Sequence, residues 1–171
     1  MMAMSGSRFG PVAGHTAVTF VALLLAMALL AQPALGSTPV QGTGTFAFAG
    51  PPLLTSVPRT AGGNTFLSFE ATGTITGAIS GAFSQRFTQV IHSSGESNIN
   101  GTVTCTCSVG GRTGTVELPF EGTGAGTAAS PFDGQFVAQN GTGGLADLHG
   151  VGTFHAVGPA GTITFNWHFD P

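Results

Sequence analysis

The chain has no lysine. Its basic residues are four arginines, and only 6% of its 171 residues are charged. A surface that tracks phosphates needs clustered cations. Arg59, Arg86 and Arg112 are scattered, so nucleic acid is excluded as a partner. Seven acidic residues outnumber them. Cysteine is almost missing: Cys105 and Cys107 are the only two. No further thiol and no closely spaced histidine pair stands beside them, so no metal is expected. No Gly-x-Ser-x-Gly marks an esterase-type nucleophile. No P-loop or dinucleotide fingerprint is present, because every Gly-x-Gly lacks a following helix. No cofactor is therefore expected.

One long apolar run exists, Thr16 to Ala31. Arg8 and His15 precede it. Pro33 closes it, and Ala34-Leu35-Gly36 places small residues at the −3 and −1 positions before Ser37. This order predicts a secretory signal peptide, residues 1–36, and a single domain, residues 37–171. The run falls short of the ~20 residues that span a bilayer core, so no stable membrane span is expected after cleavage. An arginine pair and a cysteine near the cut are both absent, which argues against twin-arginine export and lipid anchoring. The expected location is secreted or cell-envelope. The oligomeric state is not legible in the sequence.

What is abundant is glycine. There are 28, more than twice the usual ~7%, with no G-X-Y period. They stand beside threonines or at breaks in strand patterns. Gly42 to Ala49 alternates, and Pro51, Pro52 and Pro58 then mark an irregular link. Thr65 to Ile75 alternates again, with Leu67, Phe69, Ala71 and Ile75 on one side and Glu70 on the other. Further strand patterns run over Ala78 to His92, Ile99 to Val109, Thr113 to Phe120, Pro131 to Asn140, Val151 to Val157 and Thr162 to Phe169. Gly77, Gly110-Gly111 and Gly158-Pro159 read as reversals. Asn140-Gly141 reads as a tight turn and Asn100-Gly101 as a bulge or turn, although both are also formal glycosylation sequons. The result is an all-β chain of about eight strands. A closed antiparallel barrel is favoured over a sandwich, since closure removes edges that this chain has no lysine to guard.

The stretches GGRTGTVELPFEGTG (Gly110 to Gly124), GTGGLADLHGVGTFHA (Gly141 to Ala156) and TITFNWHF resemble the DUF3224 family of bacterial proteins. The most specific part is Gly141, Thr142, Gly143, Leu145, Leu148, Gly150 and Gly152. The resemblance spans about Gly42 to Phe169. It implies a single compact barrel related to the allene oxide cyclase-like fold, which dirigent proteins share. Those barrels use a mostly apolar cavity as a mould for isomerisation, radical coupling or cycloaddition. None of their catalytic residues matches a position here. The sparse charge, the signal peptide and the Cys-x-Cys pair depart from the family pattern.

Four charged or titratable residues are catalytic candidates: Glu70, Arg86, Glu117 and His168. Glu70 or Glu117 inside a small barrel would need a partner, and Arg86 is the obvious one. A carboxylate so placed would serve as a base. On the outer wall the same residues are simply solvated. His168 shares a strand face with Thr162, Thr164 and Asn166, opposite Ile163, Phe165, Trp167 and Phe169. An inward aromatic face leaves His168 exposed. Cys105 and Cys107 share one face two residues apart, at the upper edge of disulfide reach. A strained bridge and two free buried thiols are both compatible with that spacing.

Two functions fit these observations. In the first, the barrel holds a small apolar molecule, with or without cyclase or isomerase activity. The 14 phenylalanines support it. In the second, a non-catalytic exported domain acts through its surface. A filled lumen favours the second, whereas an open apolar cavity with a carboxylate or His168 facing inward favours the first. Phe66, Phe69, Phe83, Phe87, Phe120 and Phe136 are the expected lumen fillers. A thiol-redox role rests on the two cysteines alone.

Overall fold

The computed structural model describes residues 37–126 and 131–170, so the expected signal segment lies outside the described residues. Ten strands follow in order: β1 (Val40–Phe48), β2 (Leu53–Leu54), β3 (Arg59–Ala61), β4 (Asn64–Gly77), β5 (Ile79–Ile91), β6 (Glu96–Val109), β7 (Arg112–Ala125), β8 (Phe132–Ala138), β9 (Leu148–Val157) and β10 (Ala160–Phe169). A single turn of 3₁₀ helix, Gly143–Leu145, sits between β8 and β9. Eight of the strands form a closed antiparallel barrel. The order is β1-β10-β9-β8-β7-β6-β5-β4, and β4 pairs back onto β1.

Closure is incomplete in one place, and two short strands repair it. β1 covers only Gly73 to Gly77 of β4. The earlier half of β4 would otherwise expose a row of unpaired backbone groups. β2 pairs there with Phe69 and Glu70, and β3 with Asn64 to Phe66. The proline-bearing segment read as an irregular link thus carries the patch for this seam. Its prolines stand outside the paired residues, as a missing N–H requires.

Period-two alternation sets the wall. On β4, Phe69, Ala71, Gly73 and Ile75 turn inward while Glu70, Thr72, Thr74 and Thr76 face water. On β10, Ile163, Phe165 and Trp167 are buried and Phe165 is fully so. Threonine suits the outer face because it is β-branched and polar. Inside, large and small residues alternate, as a narrow barrel demands. A Cβ on Gly73 would meet the Phe83 ring at 2.6 Å, and one on Gly122 would meet the Phe154 ring at 2.8 Å. Gly73 makes room for a ring from the adjacent strand, and Gly122 for one from two strands away.

The two ends differ. One is sealed by Ile79, Val109, Leu148 and Trp167, with Leu145 of the 3₁₀ turn fully buried among them. Thr142 holds that turn down, its N–H donating to the Thr115 carbonyl at 2.8 Å. The opposite end is ringed by Phe48, Phe87, Phe120 and Phe154, all half-buried.

Three local expectations are corrected. Asn100-Gly101 lies inside β6, paired with Thr88 and Phe87, and is no turn. Asn140 does adopt positive φ, 53°, but it opens the longer connection through the 3₁₀ turn instead of a two-residue hairpin. Phe66 does not fill the lumen. It stands on the outward face of β4, with the Arg59 guanidinium 5.0 Å from its ring centroid.

Candidate functional site

An apolar void lies inside the barrel, lined from the phenylalanine rim down to Ile79. Its volume is about 100 Å³. Phe46 and Phe48 enter from β1, Ile75 from β4, Phe83 from β5, Leu118 and Phe120 from β7, Phe154 from β9 and Ile163 from β10. Each reaches the lumen because it occupies an inward position of an alternating strand. The rings hold one another by edge contacts. Phe48 meets Phe83 at 5.9 Å between centroids, and Phe120 meets Phe154 at 5.9 Å and 87°. Such arrangements fit the charge distribution of aromatic faces and edges. Gln85 is the single polar side chain on the lining.

The charged candidates all lie outside the wall. Glu70 and Arg86 are opposite each other on β4 and β5, and Arg86 Nε donates to Glu70 Oε1 at 2.7 Å. The pair expected from sequence exists, but its side chains are 49% and 84% exposed. Glu117 stands on the outward face of β7, where its Oε2 accepts from the Asn140 amide at 2.7 Å. A groove of about 860 Å³ on the outer wall gathers Glu70, Arg86 and Glu117 with Thr72, Ser84 and Thr104. Both carboxylates there already accept hydrogen bonds. Exposed pairs contribute little, because solvent screens them and ordering two side chains costs entropy. Replacing Glu70 and Arg86 with alanine singly and together is expected to give a coupling energy below ~1 kcal/mol in urea melts.

His168 is also outside, as the inward aromatic face of β10 requires. Its ring stacks on His149 at 5.4 Å, and Asp170 lies 3.0 Å from His149 Nε2 and 3.5 Å from His168 Nε2. His149 lies near the start of β9. The four candidates therefore do not converge. Glu70, Arg86 and Glu117 share one groove, while His168 belongs to a separate cluster, with His149 and Asp170.

Cys105 and Cys107 face inward on β6 and are buried in the sealed half. Their sulfurs are joined, with the Cα atoms 5.5 Å apart. That is shorter than the spacing of a fully extended strand, and it lies within ordinary disulfide reach. Both residues belong to the apolar core cluster of the barrel.

Sequence reasoning missed Gln85. Its neighbours, Ser84 and Arg86, are polar, so nothing local marks it as the inward member. The signal was its parity with Phe83 and Phe87 on the same strand.

Among solved structures, the chain is similar to a protein with unknown function from the DUF3224 family of Shewanella oneidensis MR-1. The identity is 18%, the TM-score is 0.58, and the match covers 78% of this chain and 98% of that one. At that identity the likeness shows the fold. No curated protein matches the chain. The family model described as "Protein of unknown function (DUF3224)" matches residues 42–167, nearly the whole barrel, and the chain belongs to that family.

Proposed function

We propose that the protein binds a small apolar molecule inside its barrel. The observation that carries this reading is the void itself. It is lined almost wholly by aromatic and aliphatic side chains and lies beneath a half-buried phenylalanine rim. Apolar cavities of this order admit molecules the size of benzene. Drug-sized ligands need ~300 Å³ or more, so polyketides and long lipids are excluded while the rim keeps its present form.

Binding is favoured over turnover. Isomerase or cyclase chemistry needs an acid or base within reach of the reacting atoms. Glu70, Arg86, Glu117 and His168 stand outside the wall, and the lining offers one amide. The protein is read as a holder or carrier, exported by residues 1–36 and acting outside the cytoplasm. Calorimetric titration with benzene and toluene tests this. Saturable binding with a negative heat-capacity change, the mark of apolar burial, is expected. Heats indistinguishable from dilution for both would overturn it.

A further inference from the structure

β5 carries two inward glutamines, and their situations differ. Gln89 donates through Nε2 to the Ser97 hydroxyl at 2.9 Å, and Ser97 is fully buried. That pair satisfies itself within the wall. Gln85, four residues earlier on the same face, has no side-chain hydrogen-bond partner among the described residues. It lines the void between Phe83 and Val103. It is not a buried orphan, since no deeply buried polar side-chain atom among the described residues lacks a partner. Gln85 also borders the outer-wall groove beside Ser84 and Arg86, so its side chain stands at the boundary between the groove and the void.

An amide in this position discriminates between ligands. It offers an N–H donor pair and a carbonyl acceptor. A pure hydrocarbon entering the void removes whatever hydrates that amide and returns no hydrogen bond, which costs free energy. A ligand with one hydroxyl or carbonyl replaces the lost bond. A ligand with several polar groups leaves the remainder unpaired against phenylalanine and isoleucine. We infer that Gln85 is the one directional contact in the lumen and that the ligand is a small apolar molecule bearing a single hydroxyl or carbonyl group. This rests on the reading of the void as a ligand site.

The test compares matched ligands on two proteins. Cyclohexanone and methylcyclohexane are titrated into the wild type and the Gln85→Leu variant, with both proteins' melting curves measured first. The variant is expected to bind cyclohexanone about 10-fold more weakly, the size of one net hydrogen bond, and methylcyclohexane equally or more tightly. In the wild type, the Gln85 side-chain amide resonances are expected to shift with cyclohexanone and not with methylcyclohexane. Equal loss for both ligands, or unmoved amide resonances, would reduce Gln85 to a packing residue and overturn the inference while leaving the void a binding site. No binding of either ligand to the wild type would overturn both readings. If the leucine variant fails to melt cooperatively, the amide resonances of the wild type alone decide.

Discussion

Phe165→Ala is expected to destabilise the barrel by about 3–5 kcal/mol. Phe165 is fully buried at the middle of the closed half. Its ring stacks on Phe136 at 5.6 Å and on Trp167 at 5.4 Å, with interplanar angles of 28° and 15°. Gly150 on the adjacent strand leaves the space the ring occupies. Truncation removes the transfer free energy of a phenyl group and the stacking on both faces. It also leaves a hole that strands on every side prevent from collapsing. Single domains have only about 5–15 kcal/mol of stability in total. The loss is therefore a large part of what holds the chain folded, and urea titration reads it as a lowered midpoint at unchanged slope. Val151→Ala is the control. Val151 lies on the outer face of the adjoining β9 and is 56% exposed. Its truncation is expected to stay within about 0.5 kcal/mol. Equal effects from the two substitutions would contradict the assignment of strand faces.

Ala156→Trp is expected to abolish binding of benzene-sized molecules. Ala156 is a small inward residue near the end of β9, on the lining of the void. It pairs with Phe132 on one side and Gly161 on the other. An indole placed there projects among the residues that line the void. Overpacking of a filled core costs about 1–3 kcal/mol. Filling an existing space costs less, so the variant is expected to stay folded with a midpoint close to that of the wild type. Calorimetric titration with toluene, alongside a melting curve, separates the outcomes. A folded variant that binds toluene as the wild type does would place the ligand elsewhere.

Much of the wall was legible because alternation is local. The parity of Leu67, Phe69, Ala71 and Ile75, or of Ile163, Phe165 and Trp167, survives folding unchanged. The exposure of His168 follows from the same parity once the aromatic face turns inward. Turn chemistry was less reliable. Asn100-Gly101 carries a turn signature, yet Gly101 lies inside β6, where a Cβ would run into the Arg86 carbonyl and the Phe87 backbone of β5. Gly152, by contrast, lies beneath the Phe136 ring of the adjacent strand. A glycine's role in a barrel depends on which ring lies across from it, and that is a matter of register between strands. β2 and β3 were invisible for a related reason. Two or three residues carry no periodicity, and they exist because β1 stops short along β4. The void was hidden altogether, since its volume is the remainder left where side chains from several strands meet.

The most direct test of the central claim is where a small apolar molecule lands. Methyl resonances of the protein would be followed by NMR during titration with benzene. Saturable shifts confined to Ile75, Leu118 and Ile163, with Val137 and Val151 on the outer wall unmoved, are the expected result. Shifts confined to the outer valines, or no saturable shift at all, would contradict a ligand site inside the barrel.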